Sequence, residues 1–525
     1  MARIAFILLC HKDPKGIIAQ ARRLTGAGDF VSIHFDARAS RADFDAIRSA
    51  LADNPGVTFA ARRIRCGWGE WSLVAATIEA VRAAVGAFPT ATHFYMLSGD
   101  CLPIKSAAYV HDFLDENDVD HIENFDFFES DWIKTGFKEE RLIYRHWFNE
   151  RTQKRLFYAS HDLQKRLGLT REVPADIQVM IGSQWWCLRR QTIEEVLAFC
   201  DARRDVVRFF STTWIPDETF FQTLVPHLIP RKEIRSRTLT FLMFTDYGMP
   251  VTFYNDHYDL LLRQDYLFAR KISPEALQLR ARLGALWRAD DAQFAISNEA
   301  ADVYRFLTQR GRVGRRFGQR FWEAENTLGR GRTLLLIVAK KWQVAKRLTA
   351  AIRDRTDIPA VDYVFNETDA QLPDMGGRET TLAKRERHRR ALVRMLFVQF
   401  DSNRVALCLD TSALGLMQDF LDDKAATRLL LIESDFTDDY IRGHIERVGL
   451  AGRNSLPDHV NRLIPAVRAE LEQEADHIRD LDLDGFETIA PDTDETANAA
   501  ALQRFLGIDH DTALALARTD NLFDD

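Results

Sequence analysis

Ile4-Ala5-Phe6-Ile7-Leu8-Leu9-Cys10-His11-Lys12-Asp13-Pro14-Lys15-Gly16 stands at the start of the chain. Its unbroken apolar run predicts a strand over Arg3–Leu9 that is buried on both faces, as the strands of parallel sheets are. A signal peptide is the rival reading. The run is short, lacks a small-residue cleavage site, and meets Lys12, Asp13 and Lys15 at once, so a buried first strand fits better. The turn His11-Lys12-Asp13-Pro14 leads into a helix from Gly16 to about Leu24. A second strand, Phe30–Phe35, ends at His34-Phe35-Asp36; a helix over Arg41–Ala52 and a strand over Val57–Ala60 follow. Strand and helix alternating in this way predict an open α/β sheet. Such sheets bind ligands beyond the carboxyl ends of their strands, which gathers Cys10, His11 and Asp36 on one rim. Asp36 either accepts hydrogen bonds from a ribose or base there, or caps its own loop.

With 525 residues the chain exceeds one ordinary domain. Its apolar fraction of 46% is ample for large cores, and a net charge of −7 gives no global case for nucleic acid. The cysteines, Cys10, Cys66, Cys101, Cys187, Cys200 and Cys408, are scattered with no CxxC pair. That predicts free thiols in a reducing compartment rather than a disulfide framework or a zinc site. No run approaches the roughly 18 apolar residues of a membrane span. The expectation is a cytoplasmic protein, with peripheral contact to the inner membrane left open and no nucleic-acid partner.

Further along, Cys66-Gly67-Trp68-Gly69-Glu70-Trp71-Ser72 precedes a helix to about Val85. Its two glycines let the backbone pass close to something flat, and Ser72 is expected to cap the helix. The strand His93–Leu97 ends in Ser98-Gly99-Asp100, with a single acid where many sugar-nucleotide enzymes carry a metal-binding Asp-x-Asp. A literal triplet, Asp118-Val119-Asp120, comes later, off the end of any apolar run, and His34 with Asp36 falls short of a ligand set. The segment Asn124–Asn149 mixes aromatic and charged residues and reads as a lid over a ring-shaped polar ligand or as an amphipathic cap on the sheet. Gly182–Leu188 reads as a strand. Ile215-Pro216-Asp217-Glu218-Thr219-Phe220-Phe221 reads as a helix start: proline suits the first turn, and acids there are favoured by the helix dipole. Phe220, Phe221 and Leu224 would be buried, and one of Asp217 and Glu218 would face a cleft, where a carboxylate can act as general base. Arg270-Lys271, behind Phe268-Ala269, offers a planar fork and a point charge to a diphosphate.

Seven of these pieces, in this order over about the first 275 residues, resemble the Core-2/I-branching N-acetylglucosaminyltransferase and peptide O-xylosyltransferase family. They are the first strand to His11, Ile33-His34-Phe35-Asp36, Trp68-Gly69 with Ser72-Leu73, Leu97-Ser98-Gly99-Asp100 with Pro103-Ile104-Lys105, Gly182-Ser183 with Trp185, Pro216-Asp217-Glu218 with Phe220-Phe221, and Phe268-Ala269-Arg270-Lys271. The xylosyltransferase branch is the nearer. The resemblance implies an α/β protein with a GT-A (Rossmann-like, mixed-sheet) domain over residues 1–280. It implies an inverting transferase that moves xylose or N-acetylglucosamine from UDP-xylose or UDP-N-acetylglucosamine to an acceptor hydroxyl, with no metal. Glu218, beside Asp217, matches the general base. Cys10, His11, Asp36, Trp68, Asp100, Arg270 and Lys271 fall on the donor side, and Ser183 and Trp185 on the acceptor side. Some relatives carry an arginine at the place of Met243, near Thr245-Asp246-Tyr247; Arg235 or Arg237 is the candidate replacement.

The resemblance ends near residue 280. A helical basic linker is expected over 281–330, including Arg310–Arg320, and a second α/β domain over 331–525 with strands Thr333–Val338, Val405–Leu409 and Arg428–Ile432. The acidic stretch Asp482–Glu495 reads as loop. Ala501–Ile508 is faintly similar to the tail of sulfotransferases, though no phosphosulfate loop accompanies it. Two rival functions follow: a non-catalytic carbohydrate- or nucleotide-binding module, and a bifunctional enzyme with a sulfotransferase-like C-terminal half.

Overall fold

The computed structural model describes residues 2–133, 136–244, 250–299, 327–452, 455–481 and 485–524. The chain divides into two compact units, Met1–Arg316 and Phe317–Asp525.

In the first unit the strands are β1 (Ile4–Cys10), β2 (Phe30–Phe35), β3 (Val57–Phe59), β4 (His93–Ser98), β5 (Leu102–Pro103), β6 (Asp120–His121), β7 (Phe125–Asp126), β8 (Met180–Ile181), β9 (Cys187–Arg189), β10 (Ile234–Arg235), β11 (Thr240–Leu242) and β12 (Phe268–Arg270). Seven of them form one mixed sheet in the order β10-β6-β9-β4-β1-β2-β3. The strand β1 lies inside it, between β4 and β2 and parallel to both, and Ile4 to Leu8 are fully buried. This is why its apolar run is continuous: both faces are covered. The strand β9 runs antiparallel to β4 and makes the sheet mixed.

Local chemistry explains the first turn. Asp13 takes a left-handed φ of 55°, which aspartate tolerates, and its Oδ1 accepts from the Gly16 amide at 2.9 Å. Pro14 then opens the helix Pro14–Thr25, two residues before the expected start. Ser72 is not the cap of the next helix. That helix is Trp71–Ala87, with Glu70 at the cap position, and the Ser72 hydroxyl instead accepts from the Gly67 amide at 2.8 Å.

Behind the sheet, Phe6 packs on Tyr95, Phe268 and Trp287 with ring centroids 5.4–6.3 Å apart. Trp287 ends the helix Leu277–Trp287, so the packing of this unit continues past residue 280, into the stretch expected as linker. A three-stranded sheet, β11-β12-β5, covers a smaller core that includes Leu102, Ile104, Phe241 and Phe253. The stretches Thr245–Gly248 and Arg310–Arg320 lie outside the described residues.

The second unit holds β13 (Thr333–Val338), β14 (Ala360–Val361), β15 (Arg404–Leu409), β16 (Ala426–Ile432) and β17 (Phe486–Ile489). They form a wholly parallel sheet in the order β14-β15-β13-β16-β17. The strand β17 corrects the loop expected over Asp482–Glu495. Phe486-Glu487-Thr488-Ile489 is too short and polar to stand out in sequence, and the open edge of β16 supplies its hydrogen bonds.

Candidate active site

The order of the first sheet fixes where a ligand can enter. From β1 the chain moves to β2 on one side, while β4 lies on the other, so the loops after β1 and β4 diverge and leave a crevice. The loop after β1 carries Cys10, His11 and Lys12; the loop after β4 carries Gly99 and Asp100. Lys12 Nζ lies 3.6 Å from Asp100 Oδ1 across this crevice. The Asp36 amide donates to the Cys10 carbonyl at 2.9 Å, which keeps Asp36 on the same rim. Its Oδ1 accepts from the Arg38 and Cys66 amides at 2.7 and 3.2 Å, so this oxygen serves its own loop. His34 is buried, and its Nε2 accepts from the Ile64 amide, a packing role.

Arg270 ends β12, and Ile272 donates its amide to the Asp100 carbonyl at 2.9 Å, which brings Arg270-Lys271 to the Asp100 loop. Burial lowers the Lys271 pKa, and the neighbouring Arg270 charge lowers it further. The Arg270 guanidinium stacks on Trp185 at 4.2 Å, and its Nε is buried with no acceptor among the described residues. Lys105, from the same run of motif residues, is structural: its Nζ donates to the carbonyls of Leu262 and Gln264 at 2.9 and 2.7 Å. Arg237 is taken by Asp265 at 2.9 Å, while Arg235 is exposed on β10.

Glu218 lies on a single 3-10 turn, Pro216–Glu218, and the α-helix begins only at Phe220. The turn departs from the continuous helix expected from the sequence. Its cause is Ile215, held at φ 54°, a strained value for a β-branched residue and one that precedes proline. The Gly69 carbonyl accepts the Ile215 amide at 2.9 Å and fixes that conformation. Phe220, Phe221 and Leu224 are buried as expected.

The two carboxylates separate. Glu218 Oε2 accepts from Arg141 Nη1 at 3.2 Å, and its side chain keeps 32% exposure. Burial raises its pKa, while Arg141 and a hydrogen bond from Trp132 pull it back. Asp217 turns inward beside Gln184 and Trp186 at a small cavity, with Oδ1 buried and unpaired among the described residues. Its pKa is raised to about 7 by burial and by the Glu218 charge. Arg141 also donates to the Phe137 carbonyl and lies 5.2 Å from the Trp214 ring. Trp68, 42% exposed, has Arg151 stacked at 3.9 Å and Trp214 edge-on at 6.4 Å, which groups it with the carboxylates.

One segment joins the two groups. Between β8 and β9 the chain over residues 182–186 is not a regular strand. The Gly182 amide donates to the Glu218 carbonyl at 2.9 Å, the Ser183 carbonyl accepts from Gln222 at 2.7 Å, and Trp185 carries Arg270. In the sequence Arg141 and Trp132 are visible only as members of the mixed segment Asn124–Asn149, and nothing there points to Gln222 as a site residue except its position one turn after Glu218. The Asp118-Val119-Asp120 triplet is structural. Asp120 is fully buried, bonded to Arg189 and to the Thr192 hydroxyl at 2.7 Å, and Asp118 faces His93 at 3.4 Å.

Residues 4–258 match the Core-2/I-Branching enzyme family. Within the first unit, this stretch is similar to the Core-2/I-branching glycosyltransferases. Xylosyltransferase 2 of Pan troglodytes is 29% identical to this domain over 231 residues, 42% of this chain and 24% of that protein. Xylosyltransferase 1 of Rattus norvegicus is 26% identical over 233 residues, 43% of this chain and 26% of that protein. The chain thus spans about a quarter of the length of these curated relatives. The apo form of the glycosyltransferase GlyE of Streptococcus pneumoniae TIGR4 is similar at 9% identity, over 89% of this chain and 99% of that one, with a TM-score of 0.20, too low to bear on the fold. Residues 270–525 match a family of unknown function (DUF5928). Among the described residues, no helix is long and apolar enough to cross a membrane.

Proposed function

We propose that the Core-2/I-branching domain is a GT-A-type inverting glycosyltransferase that moves xylose or N-acetylglucosamine from a UDP-sugar to an acceptor hydroxyl without a metal. The observation that carries this reading is the continuity of residues 182–186, which hold the Glu218 backbone at one end and stack Trp185 on Arg270 at the other. A base and a cationic cradle are thereby coupled through one short segment.

In this reading the donor diphosphate lies over Arg270, Lys271 and Lys12, and Arg270 Nε gains an acceptor. The acceptor oxygen attacks C1 of the sugar from the face opposite UDP. Its proton passes to Glu218, the bond from C1 to the diphosphate oxygen breaks, and that electron pair leaves with UDP. The cations stabilise the charge that grows on the leaving group, commonly the largest catalytic contribution in such sites. Arg141 opposes the effect of burial on Glu218 and so keeps its carboxylate available as a base.

The test is Glu218→Gln assayed against a panel of UDP-sugars. UDP release should fall by roughly 10²–10⁴-fold, the usual worth of a positioned base, while UDP binding persists. Full turnover by this variant would refute the assignment. Binding of a sugar nucleotide by the wild-type protein with no UDP release over hours would make the domain a binding module instead.

A further inference from the structure

The second unit carries a crevice of its own. From β13 the chain passes to β14 on one side, whereas β16, on the other side of β13, leads away to β17. The loops after β13 and β16 therefore part, as they do where doubly wound sheets take ligands. A cavity of about 530 Å³ opens there, with Lys340 from the first loop and Glu433 to Phe436 from the second on its wall. That volume falls in the usual small-molecule range of roughly 300–1,000 Å³.

A charged network lies behind Lys340 and Thr411 on the wall of this cavity. Lys340, only 10% exposed, bridges Asp410 at 3.2 Å and Glu474 at 2.9 Å. Trp342 Nε1 and the Ser412 hydroxyl each donate to Asp410 at 2.7 Å, and the Thr411 hydroxyl donates to Glu474. Burying three charges is costly, and packing alone would be served as well by apolar side chains.

The chemistry of the wall decides the ligand. Each cation that lines it is already neutralised: Lys340 as above, Arg468 by Asp438 at 2.6 Å, Arg479 by Glu433 and Asp476 at 2.5 Å. Lining carboxylates (Glu433, Asp435, Glu472, Asp476, Asp492) outnumber lining cations (Lys340, Arg468, Arg479) by five to three. The loop after β13, Ala339-Lys340-Lys341, has no glycine and leads straight into the helix Trp342–Arg355, so this loop is not a phosphate-cradling turn. A phosphosulfate or other nucleotide anion finds no unspent positive charge. Asp435, Glu472 and Asp492 have no hydrogen-bond or ion-pair partner among the described residues, and they sit among apolar Leu471, Ala475 and Pro491. Acceptor oxygens beside apolar walls suit a ring that donates hydroxyl or amine hydrogens and presents an apolar face.

We propose that this crevice binds a sugar or amino-sugar ring that carries no negative charge, and that the second unit is a carbohydrate-binding module rather than a sulfotransferase. The proposal does not rest on the transfer reading of the first unit.

The experiment is calorimetric titration of the full chain with cellobiose, a β-linked glucosamine disaccharide and adenosine 3′,5′-bisphosphate. Saturable binding of at least one of the two sugars is expected. It should weaken at least tenfold in the Asp435→Asn/Asp492→Asn double variant and in Glu472→Gln. All three positions are exposed, and an unchanged unfolding midpoint confirms the fold. The affinity should be unaltered by Glu218→Gln or by Arg270→Ala. Three results overturn the proposal: no saturable binding of either sugar, sugar binding lost on Glu218→Gln or Arg270→Ala and kept in the carboxamide variants, or saturable adenosine bisphosphate binding that disappears on Arg468→Ala.

Discussion

Asp217 and Glu218 are adjacent in the chain but meet different surroundings, and two predictions belong at this scale. The pKa of Asp217 stands near 7 in the folded protein against an ordinary 3.8, so the unfolded chain releases this proton first. Its contribution to stability is complete below pH 3.8 and is lost as pH climbs through 7. Asp217→Asn should therefore raise the unfolding midpoint at pH 8, by about 2–4 kcal/mol in stability, and leave it unchanged at pH 4. Thermal melts at the two pH values check this. In the proposed role Glu218 must be ionised to take the acceptor's proton, and its pKa is raised by burial. The acid limb of kcat/KM should lie above the usual glutamate range. Arg141→Ala removes the opposing charge and should move that limb further up. A pH profile that does not shift would separate Arg141 from the base.

The turn Gly67–Gly69 and the segment 182–186 set where Glu218 stands. Gly69, at φ +70°, hands its carbonyl to Ile215, and a Cβ there would lie 3.3 Å from the side chains of Ile215 and Trp214. At Gly182 a Cβ would fall 2.1 Å from the Glu123 carbonyl, backbone that cannot step aside. Gly182→Ala should cost about 1–3 kcal/mol by overpacking and lower kcat through the displaced Glu218 backbone. Gly86 makes the contrast. It is exposed near the end of the helix Trp71–Ala87 with open space around it, so Gly86→Ala should gain about 0.5–1 kcal/mol and leave kcat alone. Chemical denaturation of both variants decides the point. The glycines around Trp68 were legible in sequence as a close approach. That the approached surface is the Trp214–Ile215 backbone was not, because the two segments lie far apart in the chain.

Over the whole molecule, two units each present a crevice at the point where their strand order reverses. In the first unit Lys12, Arg270 and Lys271 converge near Asp100, and the proposed function asks them to hold UDP. UDP at about 100 times its dissociation constant should add roughly 2.7 kcal/mol of stability, and Arg270→Ala/Lys271→Ala should abolish the gain. A chelator should leave turnover unchanged; its loss on chelation and return with a divalent cation would overturn the metal-free reading.

Alternation of apolar runs with helical patterns was enough to read the inner strands of both sheets, because a strand buried on both faces must be apolar at every position. Motif order was enough to point to the family, and it put Pro216-Asp217-Glu218 and Arg270-Lys271 forward for the roles proposed above. Tertiary structure alone decided the rest. It turned Asp217 inward and Glu218 toward Arg141, since one strained residue, Ile215, sets the turn. It made β17 a strand, since the edge of β16 supplies the bonds. It carried the packing of the first unit past residue 280, since Phe6, Phe268 and Trp287 share one core. Side-chain direction and long-range pairing depend on partners remote in the chain, and no local pattern encodes them.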